Sequence, residues 1–177
     1  SIIQKQDSNF VVLGNVDNDV LMLEINNKGD VLWSQSYGGS QLDEAYHFEH
    51  TSDGGYIISG STRSYGFGES DIWLIKSGSN GLIEWNTYIG TEYDEQGGQI
   101  IQTEDNGYLL VGNRTHEQRE DSDVWLIKTN SQGDSIWTKT YGGLGDDIGS
   151  DIIQIENNGY ILVCLLYTSP SPRDVRS

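Results

Sequence analysis

The chain has 177 residues, including 22 Gly, 10 Tyr and 5 Trp but only 2 Pro, 1 Cys and 1 Met, and its net charge is −17. A single Cys excludes an internal disulfide framework and a cysteine zinc site. The acidic charge argues against a nucleic-acid partner, and the sequence has no apolar run long enough for a transmembrane helix. The high content of Gly and aromatic residues favours short strands and tight turns.

The chain repeats itself with a step of 52 residues. GGYIISG at 54–60 matches NGYLLVG at 106–112, and SDIWLIK at 70–76 matches SDVWLIK at 122–128. A looser first copy has a loop that is six residues shorter. The aromatic anchors of the repeat are Trp33, Trp85 and Trp137, then Trp73 and Trp125, and finally Tyr56, Tyr108 and Tyr160. So many matched positions indicate a genuine internal repeat.

Each repeat predicts four short strands, named A to D in chain order, and no segment has the 3.6-residue period of a helix. Turn signals such as Asp53-Gly54 between A and B and Asn80-Gly81 between C and D separate them. The predicted strands are 19–25 (C) and 31–37 (D) in the first copy, 46–51, 55–61, 71–77 and 82–88 (A to D) in the second, 98–103, 107–113, 123–129 and 134–140 (A to D) in the third, and 151–156 and 159–163 (A and B) in a fourth.

The fold class predicted from these strands is all-β, as a partial β-propeller of four-stranded antiparallel blades. Residues 72–75 and 124–127 are apolar on both faces of their strands, so both faces must be covered. A four-stranded unit of roughly 50 residues that packs between copies of itself is typical of a propeller blade, and a continuous solenoid is the alternative. The incomplete propeller is predicted to span 1–163, with units at about 1–38, 39–90, 91–142 and 143–163.

The repeat resembles that of secreted and cell-surface β-propeller proteins of bacteria and archaea. The resemblance covers residues 1–163 and is carried by a GGY-type strand, a D-x-W-L-I-K strand and a G-x-x-x-W strand, in that order. It implies an extracellular or cell-surface location and, as partners, the remaining blades of the same propeller. The spacing from Gly81 to Trp85 is also similar to the tryptophan-docking motif of quinoprotein-type propellers, but the upstream Ala and Asp of that motif are missing.

Both ends of the sequence are unusual for a complete domain. SIIQKQDSNF at 1–10 aligns with DIIQIENNGY at 151–160, so the chain is predicted to begin inside a strand A, without an initiating Met or a signal peptide, as a piece of a longer protein. At the other end, 164–177 has no counterpart in the other copies. CLLYTSPSPRD at 164–174 resembles a one-frame translation of a sequencing-library adapter, which predicts a non-native tail; a genuine Ser-Pro linker is the alternative.

Acidic pairs follow strand D in every copy, and they are the candidate metal ligands. The crossover from strand D to the next strand A would bring them to the mouth of the central channel, where a ring of carboxylates could bind Ca²⁺. In the alternative interpretation, one carboxylate accepts hydrogen bonds from the crossover backbone and the other is solvated. The pairs are Asp43 and Glu44, Asp94 and Glu95, and Asp146 and Asp147. No catalytic residue and no other cofactor is predicted.

The other polar and aromatic candidates are interpreted mainly as structural. His47 and His50 lie three apart on a predicted strand and therefore point to opposite faces, which disfavours a shared metal; His116 is the third histidine. The repeated Trp and Tyr anchors are expected to pack between blades, with an aromatic ladder for sugar stacking as the alternative.

The sequence therefore predicts a binding or interaction module with a protein or glycan ligand. The loops between strands B and C differ most between copies, at 64–70 and 115–121. They share a face with the D–A crossovers, and variable loops on a rigid scaffold usually carry binding. The alternatives are the propeller domain of a polysaccharide-active or quinone-dependent enzyme, and a structural spacer in a large surface protein.

Overall fold

The computed structural model describes residues 1–115, 121–156 and 159–166, and in these ranges the chain forms fifteen β-strands and no helix. The strands are β1 (Ile2–Gln4), β2 (Phe10–Val16), β3 (Asp19–Ile25), β4 (Val31–Tyr37), β5 (Asp43–His50), β6 (Tyr56–Thr62), β7 (Asp71–Ser77), β8 (Ile83–Ile89), β9 (Glu95–Gln96), β10 (Ile100–Gln102), β11 (Tyr108–Thr115), β12 (Ser122–Thr129), β13 (Ser135–Tyr141), β14 (Ile148–Ile155) and β15 (Gly159–Leu165).

Three segments named in the sequence analysis lie wholly or partly outside these ranges. His116 and most of the loop at 115–121 are not described, and neither is 167–177, which is most of the segment that resembles adapter. Cys164 and Leu165 are described, and they extend β15 opposite Gly149 and Ile148 of β14.

The strands form antiparallel sheets in chain order, which confirms the all-β class and the four-stranded sheets. Sheet 1 contains β1–β4, sheet 2 contains β5–β8, sheet 3 contains β9–β13, and sheet 4 contains β14 and β15. Most strand boundaries differ from the prediction by one to three residues, and two of the differences have a clear structural cause. β5 begins at Asp43 because this residue already pairs with Thr62 of β6. Strand A of sheet 3 is interrupted between β9 and β10, where Gly97 lies so close to the carbonyl of Gly60 that a Cβ atom would overlap it.

Apolar side chains fill the spaces between successive sheets. One cluster joins sheets 1 and 2 and includes Val11, Met22 and Trp73; the next joins sheets 2 and 3 and includes Leu74 and Trp125. A third cluster lies between sheets 3 and 4. Every residue of β6 and of β7 is buried, so sheet 2 is covered on both of its faces at its centre. The two-sided apolar pattern of the sequence therefore corresponds to a stack of sheets.

A backbone hydrogen bond recurs at each step of the stack with the 52-residue spacing. The donor is a backbone amide at the start of a strand A or just before it. The acceptor is a carbonyl at the start of strand C in the preceding sheet. The three bonds run from Asp43 N to Asn18 O (2.7 Å), from Glu95 N to Ser70 O (2.8 Å) and from Asp147 N to Ser122 O (2.7 Å). The sheets are therefore connected by main chain as well as by side chains.

A glycine turn of one sheet packs on a tryptophan of the sheet before it. Gly81, in the turn between β7 and β8, has φ +77° and lies where a Cβ atom would come within 2.7 Å of the Trp33 ring. Gly133 has φ +86°, and a Cβ atom there would likewise come within 2.7 Å of the Trp85 ring. Both the left-handed backbone and the close approach require Gly. We call this contact the Gly–Trp lock.

We predict that Gly133→Ala destabilises the fold much more than Gly29→Ala does. Gly29 has the same left-handed conformation, φ +88°, but no atom lies within 4 Å of the position of its Cβ. Gly29→Ala should therefore cost only the backbone strain, about 1 kcal/mol. Gly133→Ala adds a clash with the Trp85 ring, which should cost about 1–3 kcal/mol more.

Denaturant unfolding of the two variants measures this difference. Equal losses of unfolding free energy would show that the ring contact contributes nothing.

Candidate ligand-binding face

The B–C loop and the D–A crossover meet at one end of the stack, as the sequence predicts. Ser70, at the end of the loop between β6 and β7, forms a β-bridge with Asp94 in the crossover between β8 and β9. Gly68 of the same loop lies so close to the carbonyls of Thr91 and Tyr93 that a Cβ atom would fall 2.7 and 2.5 Å from their oxygens. We call this end of the stack the loop face.

The buried carboxylates of the crossovers keep the 52-residue step. Asp43, Glu95 and Asp147 are all fully buried, and each accepts a hydrogen bond from the backbone N–H four residues earlier. The donors are Gly39 N to Asp43 (2.7 Å), Thr91 N to Glu95 (3.0 Å) and Gly143 N to Asp147 (2.9 Å). This arrangement corresponds to the alternative in which one carboxylate of each pair holds the crossover backbone.

The second members of the predicted acidic pairs are at the surface, but they are not equivalent to each other. Asp94 and Asp146 are exposed and precede the buried acid, whereas Glu44 is half-buried and follows it. Adjacent acidic letters in the sequence thus fall on different positions of the repeat.

The buried acid of sheet 3 faces a second buried carboxylate. Asp71 Oδ2 accepts hydrogen bonds from the amides of Phe67 (2.9 Å) and Gly68 (3.1 Å), while its buried Oδ1 has no hydrogen-bond partner among the described residues. Gly90 separates the two groups, because a Cβ atom there would overlap Asp71 Oδ1 and come within 2.6 Å of Glu95 Oε2. Burial raises the pKa of Glu95, the Thr91 hydroxyl and amide lower it, and the charge on Asp71 raises it further.

No group of three or more His, Cys, Asp or Glu side chains in the described ranges is arranged to hold a metal ion. His47 is half-buried and accepts a hydrogen bond from Ile100 N (3.4 Å), and burial lowers its pKa. His50 is exposed, with its Nδ1 3.1 Å from the carbonyl of Thr51. Calcium at the crossovers therefore stays a hypothesis.

A polar cleft of about 310 Å³ opens on the loop face between the crossovers of sheets 3 and 4. Its walls are Asp94, Gln96, Asn113, Thr115, Ser122, Asp146 and Ile148. Two of these side chains are held in place: Asp146 accepts from the amide (3.0 Å) and hydroxyl (3.2 Å) of Ser122, and Asn113 Nδ2 donates to the carbonyl of Asp147 (2.7 Å). The cleft thus presents fixed carboxylate and amide groups to solvent.

The B–C loop of sheet 2 adds exposed aromatic rings to the same face. Phe67 is 78% exposed, and its amide is held by Asp71. Tyr65 is 43% exposed; its ring stacks on Tyr88 with centroids 5.3 Å apart, and its hydroxyl donates to the carbonyl of Gly38 (3.2 Å). These rings were not among the residues predicted from the sequence, although SYGFGES at 64–70 contains both within a loop.

The predicted aromatic anchors lie between the sheets. Trp73 and Trp125 are almost fully buried in the first two inter-sheet clusters, together with Tyr56 and Tyr108. Trp33, Trp85, Trp137 and Tyr160 are half-buried and pack at the edges of the clusters. None of these rings forms an exposed ladder on the loop face.

A buried lysine is paired with an aspartate at the opposite end of sheets 2 and 3. The Lys76 ammonium lies 3.0 Å from Asp53 Oδ2, and the Lys128 ammonium lies 3.0 Å from Asp105 Oδ2. Lys76 is 2% exposed and Lys128 is 4% exposed, so each head group also needs the backbone carbonyl beside it. In sheet 1 the charges are reversed, because Glu24 takes the lysine position and pairs with Lys5 at 2.9 Å.

No family model matches the chain, and the curated proteins include none that is significantly similar to it. In the described part of the chain, no helix has the length and apolar character needed to cross a membrane.

We predict that the fold loses stability as the pH falls from about 4 to about 2. Desolvation acts to raise the pKa of Asp53, but hydrogen bonds from Thr51 and Gly55 and the Lys76 ammonium outweigh it and hold the pKa at about 2. The Thr103 hydroxyl and Lys128 likewise lower the pKa of Asp105 to about 2. Both values lie below the ordinary Asp value of about 3.9, so this stabilisation is complete above pH 4 and is lost towards pH 2.

Thermal unfolding between pH 6 and pH 2 checks this prediction. The double variant Asp53→Asn, Asp105→Asn should lose less of its melting temperature on acidification than the unsubstituted chain. Asp30→Asn, at an exposed turn, is the matched control and should leave the pH profile unchanged. An unaltered profile in the double variant would contradict the assignment.

Proposed function

We propose that the chain is part of a β-propeller that acts as a binding module of a secreted or cell-surface protein. Consecutive four-stranded antiparallel sheets with a constant repeat support this architecture. Neighbouring A strands also contact each other directly, as expected for the innermost strands of such blades: Glu49 of β5 accepts from Gln102 N of β10 (2.8 Å), and His47 accepts from Ile100 N (3.4 Å).

The observation that carries the binding function is the composition of the loop face. The loop face carries exposed aromatic rings and, separately, a polar cleft, and buried carboxylates hold the crossovers of this face in place. Such a face needs little reorganisation on binding, which lowers the entropic cost of association. We propose binding as the role of this face, and no nucleophile or general base is assigned to it from the sequence.

The chemistry of the face favours a glycan as the ligand. An exposed ring such as Phe67 can stack on the apolar face of a sugar, because aromatic side chains combine a large apolar area with a fixed geometry. The carboxylate of Asp94 and the amide of Asn113 in the cleft can bond to hydroxyl groups. A protein ligand is the alternative, and it would use Phe67 as an apolar anchor.

We predict that a glycan array identifies a ligand whose affinity falls about tenfold, the cost of roughly 1.4 kcal/mol, in Phe67→Ala. Asp94→Asn should also weaken binding, because its exposed carboxylate lines the cleft. Leu82→Ala is the matched control: Leu82 is 56% exposed but lies in the C–D turn, at the other end of the stack.

Isothermal titration of the three variants with the ligand found on the array gives the affinities. Loss of binding in Leu82→Ala, with full binding in Phe67→Ala and Asp94→Asn, would move the site away from the loop face. A hit on a protein array with no hit on the glycan array would assign the face to a protein ligand.

A further inference from the structure

A groove lies where the third Gly–Trp lock would be expected. It opens between sheet 3 and the two strands of sheet 4 and has a volume of about 870 Å³. Trp137, Lys139 and Tyr141 line it on the side of sheet 3, and Tyr160 and Leu162 line it on the side of sheet 4. Trp137 occupies the same repeat position as Trp33 and Trp85, and no glycine turn covers it in the described part of the chain.

The two filled locks show what such a groove accepts. At the first, Gly81 lies on Trp33, the side chain of Gln35 flanks it with Cγ 2.9 Å from the Cβ position, and the Tyr37 hydroxyl donates to the carbonyl of Gly81 (2.6 Å). The second lock keeps the tryptophan ring and the flanking side chain, with the Thr87 methyl 3.1 Å from the Cβ position of Gly133, but Ile89 stands at the position of Tyr37. Each lock is therefore a receptor for the turn of one C–D hairpin.

The groove contains a complete set of the corresponding receptor groups. Trp137 provides the ring, Lys139 stands at the flanking position, and Tyr141 stands at the position of Tyr37. Exposure separates the filled sites from the open one: Tyr37 is 5% exposed beneath the Gly81 turn, whereas Tyr141 is 41% exposed. The flanking residues show the same difference: Gln35 and Thr87 are half-buried at the filled locks, whereas Lys139 is exposed at the open groove.

We propose that the groove is the receptor for a C–D β-hairpin from a further repeat of this type. The first strand of the hairpin pairs with the edge of β15, which pairs only with β14 among the described strands. The glycine of its turn lies on Trp137, and the Tyr141 hydroxyl donates to the carbonyl of that glycine. This inference depends on the equivalence of the three tryptophan positions, and it stands whether or not the loop face binds a glycan.

An intact second copy of the chain does not fit the groove as it stands. Among the C–D turns of the described residues, the one at Gly29 alone has no partner tryptophan, and that turn belongs to a sheet that already has strands β1 and β2. Those strands would take the places that β14 and β15 occupy beside sheet 3. A hairpin without its own A and B strands avoids this overlap and would extend the two strands that are described for sheet 4 to four.

The test uses a synthetic, fluorescently labelled peptide with the sequence of residues 71–89 and the full chain, measured by fluorescence anisotropy. The unsubstituted peptide should bind, and the peptide with Gly81→Val should bind at least about tenfold more weakly because its Cβ would meet the ring. In the chain, Trp137→Ala should weaken binding to a similar degree, and Tyr141→Phe should weaken it several-fold. Ile136→Ala, beside Trp137 and 58% exposed, is the matched control and should bind normally.

A second measurement removes the dependence on a preformed peptide hairpin. In a fused variant, a copy of residues 60–90 follows Val163 in place of 164–177, so the hairpin is covalently attached. Its melting temperature should exceed that of the chain by several degrees, and Gly81→Val in the added copy should abolish the gain.

The proposal is overturned if the peptide does not bind and the fused hairpin gives no gain in melting temperature. It is also overturned if binding or stabilisation is unaffected by Trp137→Ala. Self-association that requires Trp137 and that the peptide does not compete with would assign the groove to a second copy of the chain, and would equally contradict the hairpin.

Discussion

Each sheet of this protein has apolar side chains on both of its faces, and this constraint determines most of the remaining structure. A strand such as β7, buried along its whole length, cannot be stable in a sheet that has water on one side. The repeat is therefore a unit that is completed only by its neighbours. Stability in such arrays is distributed between the units and the interfaces between them, so the contacts that join sheets matter as much as the ladders within them.

The two ends of the stack fix these interfaces by different means. At one end, a glycine turn is pressed onto a tryptophan ring, and its backbone conformation excludes other residues. At the other end, a buried carboxylate holds the crossover, and a backbone bond connects it to the sheet before. Glu95 and Ser70 make these connections through backbone and buried groups. The Phe67 side chain takes no part in them, so this position of the loop can vary and can present an exposed ring.

The strands and their order could be predicted from the sequence because both depend on local patterns: apolar residues within strands, and Gly, Asn and Asp at the turns. The function of individual acids could not. Asp43 and Glu95 are equivalent in the structure, but the sequence pairs the first with the residue after it and the second with the residue before it. The difference becomes visible only through the bonds to Gly39 and Thr91. The pairs of Lys76 and Glu24 were missed for the same reason, since their partners lie on other strands.

The reversed charges of sheet 1 make the repeats non-interchangeable. If the A–B hairpin of sheet 2 were joined to the C strand of sheet 1, Asp53 would meet Glu24, and two carboxylates would share a site without a cation. The opposite exchange would bring Lys5 towards Lys76, with Asp7 as the carboxylate beside both ammonium groups. Exchange of strands between the first and second copies is therefore expected to destabilise the fold, although identical repeats would tolerate it. A substitution that reverses the charge of one residue in such a pair needs a matching change in its partner. This mismatch distinguishes the first unit from the second.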